Sequence, residues 1–289
     1  MEKNFIPSDL KIIYDEMIMA VDVNQQLDKV ILSNENSEKI NIFLTENKNK
    51  YELAKFNLKP INKLMFYGAS GTGKTMLAKA LANHLKYEML YIDIAKALSE
   101  NTVAKNISDI FKLANSLKNC IIFLDECDSI VWNRDTDNSD GGVIRRATNS
   151  IFQQLDQMDI ENVFIAATNM LSRLDIAFER RIEMKMEFRR PNINIVEIMR
   201  KFIYPEFELV STHDIDSYSI IERRVNQNTK LSYDELEKIA HRAMKNAVIA
   251  GTTKCKISDI LKDISLTMNI KVNFKADKDN EEYFKSNII

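Results

Sequence analysis

The sequence contains few glycines, few prolines and few cysteines, and each shortage limits what the chain can be. Of its 289 residues, six are glycine, four are proline and three are cysteine. With so little glycine and proline, and with no internal repeat or low-complexity segment, the chain has the composition of an ordinary globular protein. The cysteines lack the spacing of a metal site, so we expect reduced thiols, as in a cytosolic protein.

The sequence also lacks an excess of charge of one sign and long hydrophobic runs. Lys plus Arg number 40 and Asp plus Glu number 42, which gives a net charge of −2. This balance gives no global attraction to nucleic acid or to anionic membranes, although a local basic patch is compatible with it. No apolar run approaches the ~18 residues of a membrane span, and the first residues do not form a signal peptide. We therefore expect a cytoplasmic protein with no membrane partner, and a nucleic-acid partner is not favoured.

The character of the sequence changes beyond Pro191. Before it, short apolar runs alternate with helical patterns, which predicts an α/β fold with a parallel sheet covered by helices on both faces. After it, the pattern is helical, with no strong strand signal. The predicted segments are an N-terminal helical region at 1–58, an αβα domain at 59–190, a helical domain at 191–270 and a charged tail at 271–289.

Five apolar runs have the length and composition of buried strands, and the stretches around them have helical spacing. The predicted strands are residues 63–67, 89–94, 120–124, 163–168 and 185–188. The predicted helices are residues 8–20, 75–85, 103–117, 193–204, 232–250 and 257–269, with a polar interruption of the N-terminal pattern at 33–39.

Three of the six glycines lie close together, directly after the first predicted strand. Residues 68–75 read GASGTGKT and fit the pattern G-x-x-x-x-G-K-[ST]. Glycines let the backbone curl so that successive N–H groups face an anion, and the following helix adds the positive end of its dipole. Lys74 can reach the β- and γ-phosphates and Thr75 can ligate Mg²⁺, whereas a chance glycine turn is the alternative. The predicted nucleotide-binding residues of this loop are Gly68, Ala69, Ser70, Gly71, Thr72, Gly73, Lys74, Thr75 and Met76.

Two carboxylates follow the third predicted strand, in the sequence IIFLDE at 121–126. A buried strand that ends in this way presents both acids at the carboxyl edge of the sheet, where α/β folds bind ligands. We predict that Asp125 holds Mg²⁺, directly or through water, and contributes to nucleotide binding. We predict that Glu126 polarises the attacking water. The alternative is a solvated turn with two acids.

Two further sites are ambiguous when taken alone. Asn169 ends the fourth predicted strand and could hold the attacking water together with Glu126, although an Asn in this place is usually a turn residue. Arg180 and Arg181 could complete the active site of a neighbouring molecule as arginine fingers. Two adjacent arginines are more often a solvated surface pair.

In their order along the chain, these motifs resemble those of the AAA ATPases, in particular the ATPase core of spastin-like, katanin-like and related members. The resemblance is close over residues 60–190 and loose over 190–265, and the chain looks like a stand-alone, single-module member. AATN at 166–169 looks like the first sensor segment of that group, and LDIAFERR at 174–181 is similar to its arginine-finger segment. Several motifs in the right order are more specific than any one of them.

The resemblance implies a five-stranded P-loop AAA domain with αβα layers and a small helical lid. It implies ATP and Mg²⁺ as cofactors, hydrolysis of ATP, and a homo-oligomeric ring, usually a hexamer, with each active site between two subunits. Rings of this kind generally remodel, unfold or disassemble macromolecules, often proteins. The implied site takes Lys74, Thr75, Asp125, Glu126 and Asn169 from one subunit and Arg180 and Arg181 from the next.

The largest departure from this group lies after the second predicted strand. Many members have an aromatic residue and a glycine there to grip a polypeptide in the central pore, but residues 97–102 have neither. We therefore keep three functions open. The first is an ATP-driven protein remodeller, and the second is a regulatory ATPase that switches a partner such as a protease. The third is a nucleic-acid-dependent ATPase.

Overall fold

Among the described residues, strands and helices alternate up to Phe188, and helices predominate beyond it. A computed structural model describes residues 8–19, 21–94, 103–131, 141–190, 195–210 and 231–267. These residues form two compact units that divide between Phe188 and Arg189. The segment 97–102 and the tail 271–289, about which the sequence raised expectations, lie outside the described residues.

The first unit is built around one six-stranded sheet. Its strand order is β1-β3-β4-β5-β2-β6, and all pairs are parallel except β1 with β3. The elements are α1 (Ser8–Met17), β1 (Ile18–Met19), α2 (Asn34–Lys48), α3 (Lys50–Lys55), β2 (Lys63–Gly68), α4 (Lys74–Leu85), β3 (Glu88–Ile92), α5 (Val103–Leu117), β4 (Cys120–Leu124), α6 (Gly141–Asp156), β5 (Val163–Thr168), α7 (Ile176–Glu179) and β6 (Met184–Phe188).

The central strands are apolar along their whole length because both faces of the sheet are covered. In β4, Ile122 and Leu124 belong to one core cluster while Ile121 and Phe123 belong to the cluster on the other face. Residues of α5 and α6 pack on the first face, and residues of α4 pack on the second. The predicted α/β class with a mostly parallel, doubly covered sheet is confirmed, and it brings the ends of β2, β4 and β5 to one edge.

The N-terminal prediction needs two corrections. The first helix does not extend to residue 20 but ends at Met17, and Ile18–Met19 add an antiparallel sixth strand where five strands were expected. The polar stretch at 33–39 does not interrupt a helix but begins one. Ser33 is the N-cap of α2, with its hydroxyl oxygen accepting a hydrogen bond of 3.2 Å from Asn36 N. Polar residues of this kind favour helix starts because they satisfy free N–H groups.

The helix α2 covers the edge of the sheet that is formed by β6. Its Asn36 donates from Nδ2 to the carbonyl of Glu187 at 2.8 Å, and its Lys39 donates from Nζ to the carbonyl of Lys185 at 3.0 Å. Phe43 from the same helix is fully buried. An uncovered edge strand is a template for unwanted pairing, and these contacts block part of it. The described N-terminal helices are therefore part of the first unit.

In its described residues, 195–210 and 231–267, the second unit contains three helices and a short two-stranded parallel sheet. The predicted C-terminal helices are present, whereas the sequence pattern did not predict the two short strands, because three-residue strands carry too little periodicity to stand out. Ser232 and Glu235 form a reciprocal capping box at the start of the longest helix. The elements are α8 (Ile195–Phe202), β7 (Glu208–Val210), α9 (Tyr233–Ile249), β8 (Lys254–Lys256) and α10 (Ile257–Thr267).

All three cysteines are free and buried. Burial, with a smaller contribution from the charge of Glu88, raises the pKa of the Cys120 thiol to about 12. None of the helices in the described ranges is both long enough and apolar enough to cross a membrane.

Candidate active site

The glycine loop lies between β2 and α4, as the sequence predicts. Gly68 has φ 139°, and a Cβ atom there would lie 2.0 Å from the carbonyl oxygen of Phe188. Only glycine therefore lets β2 end so close to β6. Gly73 has φ 100° and lies directly before the first residue of α4, which turns the chain into the helix. Two glycines of the motif are thus required by the backbone itself.

Lys74 is the first residue of α4, and its side chain reaches back to this loop and is buried, with only 7% exposed. Its Nζ donates to the carbonyls of Gly68 at 2.7 Å and Ala69 at 2.9 Å, and to Asn169 Oδ1 at 2.8 Å. Burial lowers the pKa of Lys74, and the carboxylates of Asp125 and Asp128 act in the opposite direction. The contact with Asn169 is possible because β2 and β5 are neighbours in the sheet.

The other predicted nucleotide-binding residues with side chains, in the loop and at the start of α4, have different surroundings. Thr72 is buried and donates from Oγ1 to the carbonyl of Ala69 at 2.7 Å, so its hydroxyl closes the loop. Met76 is half-buried and packs against the core cluster beneath α4. Ser70 is exposed. These side chains shape the loop, and its anion-binding capacity resides in backbone N–H groups and Lys74.

Asp125 follows β4 and accepts hydrogen bonds at both of its carboxylate oxygens. Oδ2 accepts from Thr75 Oγ1 at 2.9 Å and from Tyr91 OH at 2.9 Å, while Oδ1 accepts from Glu126 N at 3.0 Å. Burial, together with the negative charge of Asp125, raises the pKa of the Tyr91 phenol, which therefore stays a hydrogen-bond donor. Thr75 and Asp125 are brought together as predicted, whereas no sequence motif indicated Tyr91.

Glu126 is exposed and has an unusual backbone conformation for a residue with a side chain. Its φ is 49° and its ψ is 42°, in the left-handed region that disfavours any residue with a Cβ atom. The following turn, Cys127–Ser129, is fixed by a hydrogen bond of 2.8 Å from Ser129 Oγ to the Glu126 carbonyl. Strained conformations of this kind concentrate at functional sites. The left-handed conformation of Glu126 turns the chain at the edge of the sheet, directly after Asp125.

A third acidic residue, Asp128, joins the ends of β4 and β5. Its Oδ1 accepts from Thr168 Oγ1 at 2.5 Å, and the same hydroxyl accepts from Met170 N at 2.9 Å. Asn169, between the two hydrogen-bonded residues, is exposed apart from its contact with Lys74. Asp128 was not among the predicted site residues, although its place three residues after Asp125 was a signal that it lies at the same edge.

The two predicted fingers have different surroundings. Arg181 forms a two-pronged ion pair with Asp156, at 2.9 Å from Nε and 3.0 Å from Nη2, and its guanidinium lies 4.5 Å from the centre of the Phe152 ring. Arg180 is exposed, and its side chain has no hydrogen bond or ion pair in the described part of the chain. Within those residues, neither guanidinium contacts the phosphate loop.

The available donors fit Mg²⁺ and a nucleotide phosphate. The hydroxyl of Thr75 and the carboxylate of Asp125 are hard oxygen ligands, and Mg²⁺ usually takes one or two protein oxygens together with phosphates and water. In the ranges that the structure covers, no group of three or more His, Cys, Asp and Glu side chains forms an alternative metal centre. The buried ammonium of Lys74 and the curled loop suit an anion beside that cation.

Comparison with known proteins gives a consistent picture. Residues 64–190 match the sequence profile of the family described as "ATPase family associated with various cellular activities (AAA)". The chain is 31% identical over 198 residues to "26S proteasome regulatory subunit 6B homolog" of Dictyostelium discoideum, over 65% of this chain and 47% of that protein. It is 33% identical over 165 residues to "Peroxisomal ATPase PEX6" of Saccharomyces cerevisiae, over 53% of this chain and 16% of that protein.

A third relative is covered over more of its length. "Uncharacterized AAA family ATPase y4kL" of Sinorhizobium fredii is 25% identical over 236 residues, which are 81% of this chain and 68% of that protein. By contrast, this chain spans less than half of the length of the proteasome and peroxisome relatives.

Proposed function

We propose that residues 64–190, which match the sequence profile of the AAA ATPase family, form a domain of that family, and that the chain binds ATP with Mg²⁺ and hydrolyses it. One observation carries the proposal. The contacts between Lys74 and Asn169 and between Thr75 and Asp125 unite three strand ends at one edge of the sheet. The exposed carboxylate of Glu126, which has no partner among the described residues, lies beside them. This is where parallel α/β sheets bind their ligands.

Each of these residues has a chemical task in the proposed reaction. The loop N–H groups and Lys74 hold the phosphates, and Thr75 and Asp125 would hold Mg²⁺. The cation, when bound, neutralises charge on the phosphate oxygens. Glu126 accepts a hydrogen bond from the attacking water, which raises the nucleophilicity of its oxygen, and the amide of Asn169 orients that water.

We further propose that the active site is completed by a second copy of the chain in a homo-oligomeric ring, expected to be a cytoplasmic hexamer. Arg180 is the residue suited to act as the finger because it is exposed and makes no ion pair within the described residues. Arg181 is engaged with Asp156 of its own chain and would hold the finger segment in place. Residues 174–181 would then have the role of the arginine-finger segment in spastin-like and katanin-like members.

The energy of hydrolysis would be used to remodel a protein partner. Support comes from the relatives, whose names describe a regulatory subunit of the proteasome and a peroxisomal ATPase. The first of these names also favours the alternative of a regulatory ATPase that switches a partner. The two differ in rate, since a remodeller turns over continuously and a switch hydrolyses slowly.

The test is ATP hydrolysis measured against protein concentration, together with mass by light scattering, for wild type, Glu126→Gln and Arg180→Ala. We expect wild-type activity to rise cooperatively with assembly. Glu126→Gln should assemble with ATP bound, and Arg180→Ala should assemble without turnover. Full activity of a dilute monomer would refute the shared site, and stimulation by single-stranded DNA would favour a nucleic-acid-dependent ATPase instead.

A further inference from the structure

The hydroxyl of Tyr91 reaches the site from a strand that carries none of the predicted site residues. In the parallel pairing of β3 with β4, Tyr91 lies opposite Phe123, and the two rings pack edge to face with centroids 5.1 Å apart. Asp125 follows Phe123 by two residues. Because side chains alternate along a strand, Asp125 continues on the side of Phe123, and the phenol of Tyr91 extends past that ring to the carboxylate.

The contact completes a set of three donors around Asp125. Besides Tyr91, the donors are Thr75 Oγ1 and Glu126 N, all at 2.9–3.0 Å. A hydrogen bond to an ionised carboxylate is stronger than one between neutral groups. Of the two side-chain donors, Thr75 is itself assigned to the metal. Tyr91 is therefore the side chain that can fix Asp125 without also being a ligand.

We propose that Tyr91 is a positioning residue for magnesium, which holds the Asp125 carboxylate in the orientation that ligates the cation together with Thr75. The inference rests on the proposed function, since it concerns the same site. Groups that hydrogen-bond to the ligands of a metal fix the orientation of those ligands, and their loss typically lowers metal affinity 10–100-fold. A phenylalanine would keep the packing on Phe123 and lose only this effect.

The test compares Tyr91→Phe with Tyr51→Phe in the full chain. Tyr51 makes the same kind of hydrogen bond, from its hydroxyl to Glu161 Oε1 at 2.9 Å, but it is 56% exposed and lies outside the site. Binding of a fluorescent, non-hydrolysable ATP analogue is titrated at increasing MgCl₂ and in EDTA. The reading is the MgCl₂ concentration that gives half of the magnesium-dependent gain in affinity.

We expect Tyr91→Phe to raise that concentration about tenfold, to leave the affinity in EDTA unchanged, and to melt close to wild type. Tyr51→Phe should leave the magnesium dependence unchanged. Tyr91→Met, which also lacks the hydroxyl, should reproduce the shift and serves as a second test if the first variant is unstable.

Two results separate the failure of this inference from that of the proposed function. If wild type binds the analogue in a magnesium-dependent way and Tyr91→Phe shifts no more than Tyr51→Phe, the role of Tyr91 is overturned while the nucleotide site stands. If wild type itself gains no affinity from magnesium, the proposed function fails and the inference fails with it.

Discussion

The ammonium of Lys74 lies 2.8 Å from the side-chain oxygen of Asn169, so the phosphate loop and the end of β5 are joined by a direct hydrogen bond. The same ammonium has two backbone carbonyl partners. Removal of Asn169 therefore leaves the buried Lys74 with acceptors, and the loop keeps its structure.

Asn169→Ala should consequently separate binding from turnover. We expect nucleotide affinity to stay within about threefold of wild type, because the loop and Lys74 are intact. Turnover at saturating ATP should fall by about 10²-fold, as when one oriented polar group is removed from an active site. Phosphate release and equilibrium nucleotide binding measure the two effects. A matching loss of affinity would mean that Asn169 is needed for the shape of the loop.

Glu126→Gly should stabilise the fold while it abolishes hydrolysis. A left-handed residue with a Cβ costs about 1–2 kcal/mol, and the greater freedom of glycine in the unfolded chain offsets about 0.4–1 kcal/mol of the gain. The free energy of unfolding in urea should therefore rise by about 0.5–1 kcal/mol. No gain in stability would show that the turn is unstrained.

The control for this prediction is Lys86→Gly. Lys86 is exposed and has φ 61° at the end of α4, away from the site residues. Lys86→Gly should raise the free energy of unfolding by a similar amount and leave hydrolysis normal. Glu126→Gln, which keeps the Cβ atom, should bind nucleotide without turnover and without the gain in stability.

Loss of Arg181 should lower stability, whereas loss of Arg180 should lower turnover. Arg181→Ala removes the ion pair with Asp156 and the contact with Phe152, at a side chain that is 28% exposed. We expect a loss of about 1 kcal/mol in unfolding free energy. Arg180→Ala should leave stability within about 0.5 kcal/mol and lower turnover by about 10³-fold. Urea unfolding and phosphate release test both, and equal effects on stability would contradict the distinction.

Mixing two inactive variants tests whether Arg180 acts across subunits. A ring of Glu126→Gln and Arg180→Ala subunits contains interfaces that pair an intact Glu126 with an intact Arg180. We therefore expect mixtures to hydrolyse ATP faster than either variant alone. Activity that stays at the sum of the two separate samples would place the arginine in its own chain's site.

The phosphate loop and the buried strands can be predicted from the local sequence, because both depend on residues close together in the chain. The role of Tyr91 depends on which strand lies beside β4, and that pairing is decided over a separation of some thirty residues. The difference between Arg180 and Arg181 likewise depends on Asp156, which is 25 residues away. The strands β1 and β7 are too short for a periodic pattern.

The hydroxyl of Thr168 should matter for both stability and turnover. It donates to Asp128 and accepts from Met170 N, so it ties the turn after β4 to the backbone that follows Asn169. Thr168→Val keeps the volume but leaves both partners without this bond, and the free energy of unfolding should fall by about 1–3 kcal/mol. Turnover should also fall, because Thr168 and Met170, on either side of Asn169, lose the hydrogen bonds that hold them in place. Thr168→Ser restores the hydroxyl and should recover both properties. If Thr168→Val loses stability but turns over normally once folded, the bond supports the fold alone and Asn169 is positioned by Lys74.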